Sequence, residues 1–274
     1  MYADVNGVRL AYVDRGQHHD ATLLLIHGFP LDHHLWAGQL AGLSPLVRVV
    51  APDLRGHGKS EVPPGPYSME GHADDMASLM DYLGIRRAVV AGLSMGGYIA
   101  FAFWRRHPKR VQALILADTR AEPDSPQAKA NRDVAIATVQ RDGAAAYARE
   151  FLPKVLGPTS QADGRIADRT FAMMAAQPVQ GTIEALKALR DRPDSRPDLP
   201  AINVPVLVLV GAEDALTPPA DAEAMARAIP GAQMTVAPGA GHLCPLENAR
   251  FVNSTLRRFL RELGSAAAGP VRSG

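Results

Sequence analysis

Short apolar segments alternate with amphipathic segments along most of this chain. The apolar segments are rich in Leu and in β-branched residues, and each is bounded by Gly, Pro or Asp. Residues that are apolar at consecutive positions are typical of strands buried on both faces of a parallel sheet. Two further strands, near 2–5 and 8–13, are joined by Asn6-Gly7, which predicts a hairpin ahead of the parallel part. The pattern predicts the buried strands at residues 21–26, 46–51, 87–93, 111–117 and 204–210, with a weaker one at 233–237.

The segments between these strands have apolar residues at helical spacing. Residues 95–106 are apolar on most sides, as expected for a helix packed on a sheet, and further helices are predicted at 218–229 and 246–263. Strands that alternate with helices predict an α/β fold with helices on both faces of a parallel sheet. Residues 69–83 show the pattern well, with one helix face formed by Met69, Ala73, Met76, Leu79, Met80 and Leu83.

Residues 120–200 interrupt this alternation. They contain no convincing strand, and they end in a proline-rich linker with the sequence RPDSRPDLPAINVP. We therefore expect a helical insertion at 120–200 between two parts of one sheet-containing core, at 1–119 and 201–264. The low-complexity tail at 265–274 is expected to be mobile. Within the insertion, helices are predicted near 126–141, 143–151, 161–176 and 180–190.

Composition and charge exclude several classes of protein. The 274 residues include 29 Lys and Arg against 28 Asp and Glu, a net charge of +1, which argues against nucleic-acid binding and polybasic membrane binding. Because Cys244 is the one cysteine, an internal disulfide and a thiolate metal site are excluded. No histidine pattern typical of a metal site is present. With no signal-peptide pattern and no run of 18 apolar residues, we expect a soluble, cytoplasmic protein without a metal.

The strongest chemical motif surrounds Ser94. It reads Gly-Leu-Ser-Met-Gly-Gly at 92–97, after a predicted strand and before a predicted helix. A Gly-x-Ser-x-Gly sequence in this context is typical of a nucleophile elbow, in which a strained turn exposes the serine hydroxyl and small neighbours prevent clashes. The backbone N–H of Met95 would then lie at a helix N-terminus, where it can stabilise developing negative charge.

A serine nucleophile needs a base, and the base needs an acid. His242 follows the last predicted strand in a glycine-rich loop, and Asp214 follows the strand at 204–210. All three residues would therefore lie at the carboxyl edge of the sheet, where open α/β sheets place their ligands. Two alternative acids are Glu213, which is adjacent to Asp214, and Asp118, which follows the strand at 111–117.

A second donor to the oxyanion and contacts with the substrate are also expected near these residues. The loop after the first parallel strand reads His-Gly-Phe-Pro at 27–30, and the N–H of Phe29 is expected to bind the oxyanion together with that of Met95. Leu216 and Leu243 adjoin Asp214 and His242 and are therefore expected to contact substrate.

Five motifs together resemble the α/β-hydrolase superfamily, and above all its bacterial serine esterases, 3-oxoadipate enol-lactonases and cofactor-free perhydrolases. The resemblance implies a mostly parallel sheet of about eight strands flanked by helices, with the 120–200 insertion as a helical cap. Related epoxide hydrolases and haloalkane dehalogenases carry Asp at the elbow, so Ser94 argues against both activities. The motifs are HGFP at 27–30, DLRGHGKS at 53–60, GLSMGG at 92–97, GAEDALTP at 211–218 and GAGHLCPLE at 239–247.

The sequence therefore predicts a bacterial carboxylesterase. Its catalytic residues would be Ser94, Asp214 and His242, its substrates small-molecule esters with small to medium acyl chains, and its intermediate an acyl-enzyme. No cofactor is expected, and the protein would be a monomer or a homodimer. A lactonase or a perhydrolase with the same three residues is an alternative. An alternative of another class is a hydrolase-fold receptor or signalling protein for small molecules.

Overall fold

A computed structural model describes residues 1–268, with side chains described through residue 264. In this range the strands form one eight-stranded sheet in the order β1-β2-β4-β3-β5-β6-β7-β8. The pairs β1–β2 and β2–β4 are antiparallel, and all other neighbours are parallel. This confirms the predicted α/β class and the mostly parallel sheet. The strands are β1 Tyr2–Val5, β2 Val8–Arg15, β3 Thr22–Ile26, β4 Arg48–Pro52, β5 Ala88–Leu93, β6 Val111–Ala117, β7 Val206–Gly211 and β8 Gln233–Ala237.

Alternate residues of the central strands pack on opposite faces of the sheet. In β3, Leu24 and Ile26 join the hydrophobic core on one face, and Leu23 and Leu25 join the core on the other. Because neither face of the strand meets solvent, all of its positions can be apolar. The continuous apolar runs of the sequence follow from this double burial.

The helices cover both faces of the sheet. On one face Met76 of α2, Phe101 of α3 and Met225 of α8 join the core, and on the other Leu43 of α1 and Val252 of α10 do so. The helices are α1 Ala37–Leu43, α2 Met69–Tyr82, α3 Met95–Arg106, α4 Pro126–Val155, α5 Pro158–Gln161, α6 Gly164–Ala175, α7 Val179–Arg190, α8 Pro219–Ala228, α9 Cys244–Glu247 and α10 Ala249–Ala268.

Helices α4 to α7 lie in the chain between β6 and β7. The sequence predicts two helices at the start of this segment, at 126–141 and 143–151, and α4 does consist of two helical stretches that meet at a non-helical residue. The kink lies at Gly143, whose φ of 83° is one that glycine adopts without steric cost. At the other end of the chain, α10 continues through 265–268, which were expected to belong to a mobile tail. The rest of that expected tail, 269–274, lies outside the described residues.

The loops at the carboxyl ends of the parallel strands bring the chemically interesting residues together. His27 follows β3, Ser94 follows β5, Asp118 follows β6 and Asp214 follows β7, while His242 lies beyond β8. Because parallel strands end at the same edge, residues that are far apart in sequence meet there.

Candidate active site

Ser94 lies in the tight turn between β5 and α3. Its backbone has φ 53° and ψ −112°, a strained conformation for any residue other than glycine. A Cβ added to Gly92 would overlap the carbonyl of Gly96, and one added to Gly96 would overlap the carbonyl of Ile26. The turn therefore requires both glycines of the Gly-x-Ser-x-Gly motif.

Ser94, His242 and Asp214 form one continuous chain of hydrogen bonds. The Ser94 Oγ lies 2.8 Å from Nε2 of His242, and Nδ1 of His242 lies 2.8 Å from Oδ2 of Asp214. Because a carboxylate can only accept, Nδ1 carries the proton and Nε2 is left to accept from the serine hydroxyl. This is the arrangement in which a histidine can remove a proton from a serine.

Thr217 is a fourth member of this chain of hydrogen bonds and was not predicted from the sequence. Its hydroxyl donates to Oδ2 of Asp214 at 2.7 Å and lies 3.2 Å from Nδ1 of His242. The other carboxylate oxygen of Asp214 accepts the backbone N–H groups of Leu216 and Thr217, at 2.8 and 3.0 Å. These bonds leave Asp214 little freedom to rotate away from His242.

Burial and charge act in opposite directions on this pair. Burial alone would raise the pKa of Asp214, but the charge and hydrogen bond of His242 hold that pKa below its usual value. Burial alone would lower the pKa of His242, but the Asp214 carboxylate raises it. Asp214 therefore remains charged, and His242 can accept a proton although only 4% of its surface is exposed.

The two alternative acids occupy other positions. Asp118 is fully buried, and its carboxylate oxygens accept backbone N–H groups instead of bonding to His242. Burial and the nearby Asp214 raise the pKa of Asp118 to about 8, so it is mostly protonated at neutral pH. Glu213 bonds to the hydroxyl and backbone N–H of Thr159. Of the three, Asp214 is the carboxylate that contacts His242.

The loop that carries Phe29 lies beside the nucleophile. A Cβ on Gly28 would come within 3.3 Å of the Ser94 Cβ, so this loop can approach Ser94 closely only with glycine there. His27 is fully buried and holds the loop, because Nδ1 donates to the Gly28 carbonyl and Nε2 accepts the Leu54 N–H, at 2.8 and 3.0 Å. Met95 begins α3 directly after the serine, so its N–H belongs to the helix N-terminus.

A cavity of about 450 Å³ opens onto Ser94 and His242. Four aromatic residues line it: Tyr98, Phe29, Tyr147 and Phe151. The rings of Tyr147 and Phe151 are stacked at 5.2 Å, and Phe29 packs 6.0 Å from Tyr147. Three cationic side chains and one carboxylate also line it: Arg120, Arg132, Lys154 and Glu150. Most of these residues come from α4, so the helices between β6 and β7 supply one wall of the cavity.

Of the two leucines expected to contact substrate, one lines this cavity. Leu216 is part of its wall. Leu243 is instead 1% exposed and packs in the core on the α10 face of the sheet, so the expectation for Leu243 is wrong. Leu243 lies directly before α9, where its N–H donates to Glu247, the last residue of that helix, and its side chain packs in the core.

One group of donor atoms away from the cavity has the spacing of a metal site. Atoms of Asp32, His33 and His34 lie within 4.8 Å of one another. Both histidines already use Nδ1, His33 toward Asp53 at 2.6 Å and His34 toward Asp32 at 2.9 Å.

In residues 1–268, no helix is both long and apolar enough to cross a membrane.

Comparison with known proteins agrees with this architecture. Residues 21–249 match the family model described as alpha/beta hydrolase fold. A thermophilic esterase from Thermogutta terrifontis superposes with a TM-score of 0.92 at 42% identity, covering 96% of this chain and 98% of the esterase. The enol-lactonase from Burkholderia xenovorans LB400 gives 0.89 at 33% identity, over 95% and 100% of the two chains. The 3-oxoadipate enol-lactonase 2 of Acinetobacter baylyi is 28% identical over 93% of this chain and 94% of that enzyme.

The family match spans most of the chain, and its relatives of known structure include esterases and an enol-lactonase. The hydrogen-bonded serine, histidine and aspartate lie at the sheet edge that this fold uses for ligands. The chain therefore belongs to the α/β-hydrolase family and is a hydrolase.

Proposed function

We propose that the protein cleaves carboxylic esters of small to medium acyl chain through an acyl-enzyme intermediate. The observation that carries the proposal is the unbroken hydrogen-bond chain from Ser94 through His242 to Asp214, in which Ser94 and His242 line the cavity. A serine hydroxyl is a weak nucleophile until an adjacent base can take its proton. Here the base is in hydrogen-bond contact with the hydroxyl.

In the first half of the reaction, Ser94 Oγ attacks the ester carbonyl and its proton passes to Nε2 of His242. The negative charge that develops on the carbonyl oxygen is held by the N–H groups of Phe29 and Met95. When the tetrahedral intermediate collapses, the bond to the alcohol oxygen breaks and His242 gives that oxygen the proton. Asp214 stabilises the charged imidazole throughout.

In the second half, water replaces the alcohol. His242 removes a proton from the water, whose oxygen attacks the acyl carbonyl of the serine ester. Collapse of this second intermediate releases the carboxylic acid, and the proton returns from His242 to Ser94 Oγ. The atoms balance without any cofactor.

The shape of the cavity supports the proposed acyl size. A volume of about 450 Å³ lies at the lower end of the range for small-molecule sites, roughly 300–1,000 Å³. The aromatic wall formed by Phe29, Tyr147 and Phe151 offers apolar contact to an acyl chain. The helices between β6 and β7 would act as the cap that gives this wall its shape.

Turnover of a p-nitrophenyl ester series from acetate to palmitate tests the proposal, with Ser94→Ala as the control. We expect turnover to be greatest for short and medium chains. The substitution should lower kcat by roughly 10³–10⁶, since triad residues act as a unit. Wild-type rates in Ser94→Ala, or a single slow turnover across the whole series, would overturn the proposal.

A second candidate is the hydrolysis of lactones that carry a carboxylate. It is favoured by the cavity's three cations, since Lys154 makes no ion pair within residues 1–264 and Arg132 has only Asp124 as its carboxylate partner there. The names of two relatives give enol-lactones as substrates, and the Thermogutta esterase was solved with malate bound. An anionic substrate group would meet net positive charge in this cavity.

Paired γ-lactones, with and without a carboxymethyl side chain, distinguish the two candidates. If the lactone reaction is the main one, the charged lactone should have the higher kcat/KM. Arg132→Gln and Lys154→Gln should then each lower that preference about two- to fivefold, as expected for partly exposed charges. Arg165→Gln is the matched control, because Arg165 lies on the same insertion outside the cavity lining. Equal rates for both lactones would exclude this candidate.

A further inference from the structure

We infer that Asp118 is a positioning residue, whose buried carboxyl ties the loop of Asp214 to the loop of His242. The inference rests on the proposed function, because it explains how the proposed catalytic groups keep their spacing. Asp118 does not contact Ser94 Oγ or the cavity, so its effect on the reaction would be transmitted through backbone atoms.

The two carboxyl oxygens of Asp118 contact two different loops. Oδ1 accepts the N–H of Gly211 at 2.8 Å, three residues before Asp214. Oδ2 accepts the N–H of Cys244 at 3.1 Å, two residues after His242. Gly211 and Cys244 are far apart in sequence and share this one side chain. Asp118 therefore constrains the distance between the acid and the base.

The neighbours of Asp118 hold the third loop in the same way. The carbonyl of Ala117 accepts the N–H of Ser94 at 3.0 Å. The hydroxyl of Thr119 donates to the Ser94 carbonyl at 2.9 Å. Three consecutive residues at the end of β6, 117–119, thus bond to the nucleophile turn, the acid loop and the base loop.

Asp118 is an unfavourable residue for this position on grounds of stability alone. Its φ of 44° lies in the left-handed region, which aspartate adopts more readily than most residues but less readily than glycine. It is fully buried, and burial beside the charged Asp214 raises its pKa to about 8. A residue that costs stability in two ways and bonds to two catalytic loops is better explained by its effect on the site than by its contribution to folding.

Asp118→Asn and Asp118→Ala test the inference. In the Asn variant the side-chain oxygen can still accept one N–H, but the NH₂ group would face the other N–H, so one of the two loops is released. In the Ala variant both loops are released. We expect kcat to fall about tenfold in the Asn variant and about 10²-fold in the Ala variant, with KM within twofold, since small displacements of catalytic groups have effects of this size. The acidic limb of the kcat/KM profile should move to lower pH, because a looser contact between Asp214 and His242 weakens the charge and hydrogen bond that raise the pKa of His242.

A matched control separates positioning from general destabilisation. Asp75 is also fully buried and bonds to Arg55 through both oxygens, at 2.6 Å each, outside the three catalytic loops. Asp75→Asn should lower Tm and leave kcat and the acidic limb unchanged. If the Asp118 variants likewise lower only Tm, the inference is wrong.

Two further measurements keep the test decisive. The NMR signal of the His242 Nδ1 proton reports its bond to Asp214 without any substrate, so it tests Asp118 even if no ester is hydrolysed. We expect that signal to move upfield or broaden in both Asp118 variants and to be unchanged in Asp75→Asn; an unchanged signal in the Asp118 variants would overturn the inference. Should neither Asp118 variant fold, Thr119→Val removes the bond to the Ser94 carbonyl from the same turn. It should lower kcat severalfold at constant KM, and a wild-type kcat there would overturn the inference.

Discussion

His242 and His57 are both buried at the carboxyl edge of the sheet, and burial affects them in opposite ways. Asp214 raises the pKa of His242, so this ring can accept a proton. His57 has no carboxylate partner within residues 1–264, and burial lowers its pKa to about 3. His72 behaves like His57: neither of its ring nitrogens has a partner in that range, and burial lowers its pKa well below the usual value. A buried histidine is therefore a usable base only where a carboxylate stabilises its charged form.

A carboxylate partner alone does not identify the base. His33 has such a partner, since its Nδ1 lies 2.6 Å from Asp53, and the Asp53 bond raises the pKa of His33 against the effect of burial. His33 does not line the cavity, and its ring contacts no serine hydroxyl in the described structure. What distinguishes His242 is the combination of Asp214 on one ring nitrogen and Ser94 on the other.

Removing the carboxylate partner of His242 should have the largest effect. Asp214→Asn turns His242 into a buried histidine like His57 and favours the wrong tautomer, because the amide can donate to Nδ1. We expect kcat to fall by about 10³–10⁴ in ester hydrolysis, the size seen when a triad acid is replaced in this way. The acidic limb of the kcat/KM profile should also move to lower pH.

The neighbouring carboxylate provides the control for this prediction. Glu213→Gln changes a side chain that bonds to Thr159, outside the catalytic groups, and should leave kcat within about threefold. If Glu213→Gln were as damaging as Asp214→Asn, or if Asp214→Asn stayed near wild type, the assignment of the acid would be wrong.

Local sequence was sufficient to predict the parts of the site that depend on local geometry. The glycines around Ser94 are required by the strained turn itself, and Asp214 and His242 follow strands whose apolar runs are easily recognised. Thr217 could also have been found, because an Asp that accepts N–H groups two and three residues later is typical of an Asx-type turn.

The cavity wall could not be predicted, because it depends on how separate elements pack. Tyr147 and Phe151 line it together with Phe29, and helical periodicity alone does not specify that α4 packs against the loop of Phe29. The role of Asp118 was hidden for the same reason. Its partners Gly211 and Cys244 are 93 and 126 residues away in sequence. Leu243 was misplaced because being adjacent to His242 does not determine the direction of a side chain at a helix start.

The buried histidines without a carboxylate partner should make the protein sensitive to acid. The pKa of His57 is about 3 in the folded protein and near 6.5 in the unfolded chain, so the unfolded state binds more protons below pH 6.5. The free energy of unfolding should therefore fall as the pH decreases from 6.5 toward 3. His57→Asn should flatten this slope by up to about 1.4 kcal/mol per pH unit, while the amide keeps the bond to the Arg55 carbonyl.

Urea denaturation at pH 7, 6, 5 and 4 measures this slope. His18→Asn is the control, because His18 is an exposed histidine on the surface turn before β3, and it should keep the wild-type slope. An unchanged slope in His57→Asn would mean that His57 is not buried in its neutral form.

The smallest expected effect is on the pKa of His33. It tests whether a carboxylate partner raises the pKa of a histidine outside the active site as Asp214 does for His242. Asp53 raises the pKa of His33, so the stability that this pair contributes is complete below pH 6.5 and is lost as the pH rises through the raised pKa. In an NMR titration of the folded protein, the ring signals of His33 should move at a pH above 6.5, and those of His57 should not move before acid unfolding. The substitution Lys59→Gln removes a nearby positive charge. It should raise the pKa of His33 slightly further, because the charge of Lys59 lowers that pKa. If His33 instead titrated below pH 6.5, a carboxylate contact would not be sufficient to offset the effect of burial on the pKa of a histidine. The charged form of His242 would then need a further source of stabilisation beyond Asp214.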